Sequence, residues 1–116
     1  MKQPKLKAYY TALSATEYHE FETSRRIEVS SRVTINPLTG AVTGRRYIHL
    51  AATPELADTD YRARTQRTDS VWVLRVPGDQ VNRSQLTAQG EQVWVFSNTL
   101  HLPHCGVLRF DLARSN

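Results

Sequence analysis

The chain has 116 residues, 40% hydrophobic, 9% aromatic and 22% charged, a balance that supports one globular domain over 1–116 and argues against a disordered or membrane chain. Fifteen basic against eleven acidic residues give a formal charge of +4, and twelve of the fifteen are arginine; guanidinium forks pair with phosphates and stack on bases, so a nucleic acid or nucleotide partner is expected. No run approaches the roughly 18 apolar residues of a membrane span and the start carries no apolar signal stretch, so the expected setting is cytoplasmic, away from a membrane.

Residues 5–12, with the run Ala8-Tyr9-Tyr10, predict a first strand. Ser14-Ala15-Thr16-Glu17 has the Ser-x-x-Glu spacing of a capping box, with Leu13 and Tyr18 set to staple the entry, so a helix is expected from there to about Arg25. Its early Glu17, Glu20 and Glu22 suit the positive end of the helix dipole. Alternation at Ile27 and Val29 predicts a strand over 27–35, closed by the turn Asn36-Pro37-Leu38-Thr39-Gly40. A return strand is expected over 41–52, with a bend at Gly44. Thr53-Pro54-Glu55 reads as a cap, a first-turn proline and an acid, opening a second helix that carries Leu56, Ala57, Tyr61 and Arg64.

Beyond Asp69 the texture turns to strands: 70–76, a Pro77-Gly78-Asp79 turn, 92–97 and 107–112. The first two are almost unbroken apolar runs, as central strands covered on both faces require. A helical turn is expected within 81–86. The order gives an α+β fold, a small split β-sheet core with two or three helices.

The stretch Arg45-Arg46-Tyr47-Ile48-His49-Leu50-Ala51 is chemically the richest. Strand alternation puts Arg45, Tyr47 and His49 on one face and Arg46, Ile48 and Leu50 on the other. Two further groups stand out: Tyr9-Tyr10-Thr11-Ala12 before the capped helix, and Gln89-Gly90-Glu91-Gln92, a loop carboxylate before a buried strand. The loop His101-Leu102-Pro103-His104-Cys105-Gly106 adds an imidazole. Each has a plainer reading: Tyr9, Tyr10, Tyr47 and His49 as strand packing, Glu91 as a solvated turn residue, Arg62, Arg64 and Arg67 as a solvated face, and His104 as loop packing. The spacing of His49, His101, His104 and Cys105 is unlike a zinc site, so no metal is expected. A lone cysteine cannot close an internal disulfide, and Cys105 reads as a buried thiol. A Gly-x-Ser-x-Gly elbow and a glycine-rich phosphate loop are both missing.

In their order these groups resemble the ADP-ribosyltransferase-like superfamily. Tyr-Tyr-Thr-Ala before a helix looks like its aromatic-x-Thr or His-x-Thr start. Arg45-Arg46-Tyr47-Ile48-His49-Leu50-Ala51 resembles the Arg-x-His-Val-His-Leu-Ser strand of RNA 2′-phosphotransferases. Gln89-Gly90-Glu91 is similar to the Gln-x-Glu loop of arginine-directed and Rho-directed transferases. Leu102-Pro103-His104 looks like the Phe-Pro-His element of a small uncharacterised bacterial family. The likeness runs over 9–110.

The resemblance implies an ADP-ribosyltransferase-like fold and an NAD-dependent transfer of ADP-ribose to a nucleic acid or protein target, in a toxin, defence or modification role. It implies catalytic positions at Tyr10, His49 and either Glu91 or His104. Tyr10 with Thr11 would sit at the nicotinamide ribose, His49 with Tyr47 beside it would meet the nicotinamide, and Glu91 would stabilise the cationic transition state. Arg45, Arg46 or Arg64 would hold the pyrophosphate. The Ser-Thr-Ser element is missing, and 116 residues are expected to leave no room for the extra N-terminal lobe of the phosphotransferases. Two alternatives stay open: a non-catalytic RNA- or nucleotide-binding module, and a small metal-free ribonuclease using His49 and His104. Whether a partner chain such as an antitoxin covers the site is also open.

Overall fold

In the computed structural model, which describes residues 6–29, 34–35, 37–38, 42–43 and 47–111, strand β1 (Ala8–Leu13) lies at the centre of a six-stranded antiparallel-dominated sheet. Its order is β10 (Val107–Phe110), β6 (Val71–Pro77), β1, β5 (Ile48–Ala51), β8 (Val93–Phe96) and β7 (Leu86–Gly90). With helices α1 (Ala15–Ser24) and α2 (Pro54–Thr65), the protein is a small α+β fold.

The pairing is uneven across the sheet. Six residue pairs join β1 to β6 and four join β5 to β8, whereas β1 and β5 meet through the single pair Tyr10–Ala51. The sheet is therefore two three-stranded halves, β10-β6-β1 and β5-β8-β7, held by one bridge.

Both helices begin as their caps dictate. Ser14 Oγ accepts from the Glu17 amide at 3.2 Å while the Glu17 carboxylate accepts from the Ser14 amide at 3.0 Å, satisfying two first-turn donors at once. Thr53 Oγ1 does the same for the Leu56 amide at 3.1 Å, with Pro54 in the first turn. Both end on left-handed residues, Arg25 and Gln66. Helix α2 joins β5 to β6, two strands that run parallel with β1 between them.

The helices cover opposite faces. On the α1 face Tyr9, Leu13, Ile48, Leu50, Leu74, Trp94 and Phe96 pack with Phe21 of α1 into the larger core. On the α2 face Ala12, Ala51, Val71 and Val73 pack against Ala57 and Tyr61 in a smaller one, with Tyr10, Leu56 and Phe110 at its margin. Tyr61 Oη donates to Glu17 Oε1 at 2.6 Å, tying the second helix to the first turn of the other.

Several local expectations change. The strand expected over 27–35 is divided: β2 (Arg26–Ile27) pairs with β9 (Leu100–His101), and β3 (Thr34–Ile35) pairs with β4 (Val42–Thr43). Gln89 and Gly90 belong to β7 and not to a loop, because this edge strand forms a hairpin with β8 around Glu91-Gln92. The bend expected at Gly44 lies outside the described residues. The helical turn expected in 81–86 is a short 3₁₀ turn, Arg83–Gln85, preceded by another at Gly78–Gln80. Gly78 is required there, since a Cβ would sit 2.1 Å from the Leu6 carbonyl oxygen. No helix among the described residues is long and apolar enough to cross a membrane.

Candidate functional site

Tyr10 is the β1 half of the bridge between the two halves of the sheet. In an antiparallel pair, opposite residues point to the same side, so Tyr10 and Ala51 share the α2 face, where both pack with the smaller core. His49, two residues before Ala51 on β5, falls on that face by alternation. Its neighbours Ile48 and Leu50 are 1% exposed and fill the opposite core, while Tyr10 and His49 are half-buried. The face division expected for the strand holds over these residues. Thr11 points the other way and is 2% exposed, so it cannot share a ligand with Tyr10 on the α2 face.

Glu91 occupies the β7–β8 turn, and the turn is fastened to the end of β5. Gln92 adopts the left-handed conformation at φ 60° and its carbonyl accepts from the Ala52 amide at 3.0 Å. Ala51 pairs with both Tyr10 and Val93, so the exposed Glu91 carboxylate starts two residues beyond the bridging row, about 7 Å along the strand direction. Tyr10 and His49 thus share the α2 face at the junction of the two half-sheets, while Glu91 lies beyond the bridging row on the side away from His49, about 14 Å from it between Cα atoms.

His104 does not join them. Its loop is strapped to the α1 side: Arg25 Nε donates to the Leu102 carbonyl at 3.1 Å, and Leu102 and Cys105 pack with the larger core. That loop leads into β10, three strands from β5, about 14 Å across the sheet. The ribonuclease arrangement, which needs His49 and His104 on one phosphate, is not assembled. Cys105 is half-buried rather than fully so, and desolvation pushes its thiol pKa up despite the Arg25 guanidinium 3.9 Å away.

The arginines divide by role. Arg45 and Arg46 lie outside the described residues. Arg64 pairs with Asp60 at 2.9 Å and stands 5.5 Å from the Tyr61 ring centroid. Arg62, expected on a solvated face, has a side chain only 11% exposed. It donates to the Asp58 carboxylate and to the carbonyls of Arg67, Asp69 and Phe110, clamping α2 to β10 and to the α2–β6 connection. Helical spacing would have placed Arg62 and Asp58 as an i, i+4 pair; the carbonyl contacts need the fold.

Tyr47 is 49% exposed at the entrance to β5. On the α1 face a parallel stack links Trp72 to Tyr18 at 5.6 Å, with Arg109 over the other end of the series at 5.5 Å from Trp72. A cavity of about 320 Å³ opens beside α1, floored by Leu13, Phe21 and Ile27 and rimmed by three carboxylates, Glu17, Glu20 and Glu28, against one guanidinium, Arg26. Its acidic rim repels phosphates, so the cavity does not suit a dinucleotide.

Comparison with family models, with curated proteins and with solved structures finds no match for this chain.

Proposed function

We propose that the protein is an ADP-ribosyltransferase-like domain that binds NAD at the junction of the two half-sheets and transfers ADP-ribose to a nucleic acid or protein acceptor. The observation that carries the reading is the single Tyr10–Ala51 bridge, with His49 on the same face and the Glu91 turn tied to the residue after Ala51.

In this reading His49 and Tyr10 hold the nicotinamide end by ring contact. Glu91 carries the negative charge that stabilises the ribose carbon as its bond to nicotinamide breaks, with the bonding electrons leaving on the ring nitrogen. The acceptor then attacks that carbon and loses its proton. A fixed anion acts only on charge that develops during the reaction, which lowers the barrier more than it tightens binding. Glu91 is favoured over His104 for this role because its turn is attached to the bridge.

The test is incubation with NAD labelled on the adenylate, with RNA, DNA and protein acceptors offered separately. Saturable NAD binding with label transfer is expected, and Glu91→Gln should lower transfer about 100-fold or more while leaving the melting temperature unchanged. Absence of NAD binding, nicotinamide release and transfer would end the proposal.

A further inference from the structure

The two edges of the six-stranded sheet are finished differently. On β7 the pairing with β8 shifts register between Ala88 and Gly90, and the residues from Thr87 to Gly90 are exposed without one large apolar side chain. A bulge and a polar edge keep other strands from adding there. On β10 the register with β6 runs unbroken from Val107 to Phe110, and the strand contains no proline, glycine or lysine. Leu108 pairs with Val73 on the α2 face and is 49% exposed. Among the described residues no strand lies beyond β10.

One contact sets the hydrogen-bond phase of this edge. Arg75 lies opposite Gly106 in the continued register, and its amide donates to the Gly106 carbonyl at 2.8 Å, so Gly106, Leu108 and Phe110 direct their N–H and C=O groups at β6. Val107, Arg109 and, one residue past the strand, Asp111 turn theirs outward. Asp111 keeps the alternation, because Arg109 Nε donates to its carboxylate at 3.1 Å and Ser70 Oγ donates to Asp111 while accepting from Arg109.

This edge is complementary to its own copy. In an antiparallel pair centred on Phe110, Arg109 of each chain opposes Asp111 of the other, and Phe110 opposes Phe110 on the α2 face. Arg109 and Asp111 are also the residues whose backbone groups point outward, so the same register closes hydrogen bonds on both sides of the axis. Their side chains are 60% and 65% exposed and open to a second chain. Moving the axis one residue either way sets Arg109 against Arg109 or Asp111 against Asp111, and like charges directly opposite are destabilising. Centring it on Leu108 leaves Arg109 against Val107.

We infer that β10 is the contact strand of a two-fold dimer, pairing antiparallel with β10 of a second copy through Phe110 against Phe110 and Arg109 against Asp111, so that two sheets become one. A strand pair this short falls at the small end of specific interfaces, below roughly 1,200 Å², so the dimer is reversible and concentration-dependent. The inference does not depend on the transferase reading.

The experiment is sedimentation equilibrium of the full chain from micromolar to submillimolar concentration, for the wild type, Arg109→Asp, Asp111→Arg and an equimolar mixture of the two variants. The wild type is expected to pass from monomer to dimer. Each variant alone has like charges at the opposed positions and should dimerise about tenfold more weakly or worse. Their mixture restores opposite charges across the axis and should dimerise as the wild type does, which a structural effect of either substitution would not produce. The ion pair lost within each variant is exposed, so melting temperatures at dilute, monomeric concentration should change little. Hydrogen exchange on the wild type gives a reading free of variants: the Arg109 and Asp111 amides should slow as concentration rises, while those of Thr87 and Gln89 on the other edge do not. A wild type that stays monomeric, single variants that dimerise as the wild type does, a mixture no tighter than its components, or concentration-dependent protection at β7 in place of β10 would each overturn the inference.

Discussion

The two faces of the sheet are built from different materials. The α1 face is closed by large side chains: Tyr9, Phe21, Trp94, Phe96 and eight leucines or isoleucines lie within a few percent of full burial. The α2 face is lined by alanine and valine and admits Tyr10 and His49. Apolar area buried is the main source of stability, so the first face holds the molecule together. The second gives up part of that area and keeps polar groups half-exposed beside the one bridge between the half-sheets. A site placed there can be altered without dissolving the core.

Substitutions that break this contrast can be ordered by size. Phe21→Ala, on the closed face, should lower stability by about 4 kcal/mol through lost transfer energy and the cavity it leaves, read as a large fall in denaturant midpoint. On the open face the largest effect is expected at Arg62, because Arg62→Ala strands the half-buried Asp58 and frees three carbonyls; a loss of about 3 kcal/mol is expected, and Arg62→Lys should not restore it. Tyr61→Phe removes one bond to a carboxylate that the capping box already uses, and should cost about 1.5 kcal/mol.

The last of these has a pH signature. Burial first, and then the hydrogen bond to Glu17, push the Tyr61 phenol up to about 12 from an ordinary value of 10. A folded value above the unfolded one adds stability that is fully present below pH 10 and lost as pH rises toward 12. The gap in stability between wild type and Tyr61→Phe should therefore be constant to about pH 10 and narrow above it.

Both helices were legible in the sequence because their start signals are local: a capping box at Ser14 and a Thr-Pro pair at 53 and 54 specify donors and acceptors within one turn. Strands β1, β6, β8 and β10 announced themselves by apolar or β-branched content. Strand β7 did not, because after Leu86 the residues Thr87, Ala88, Gln89 and Gly90 are all exposed and show no alternation. The division of 27–35 between two partners, and the short pairing of β9, depend on which strand lies alongside, which no local pattern states.

The candidate site was legible in part for the same reason. Period-two alternation separated His49 from Ile48 and Leu50, and the turn position of Glu91 could be read from Gly90 and the apolar strand after it. The roles of Arg25 and Arg62 rest on carbonyls 77 and up to 48 residues away, beyond the reach of spacing rules.

The most direct measurement is an NAD titration of isotopically labelled protein, with every assigned backbone amide followed. The account expects saturable shifts concentrated at Tyr10, His49, Ala51 and Glu91, with Leu50, Trp94 and Leu100 on the closed face unmoved. Shifts gathered around the acidic cavity beside α1, or no saturable shift at all, would contradict it.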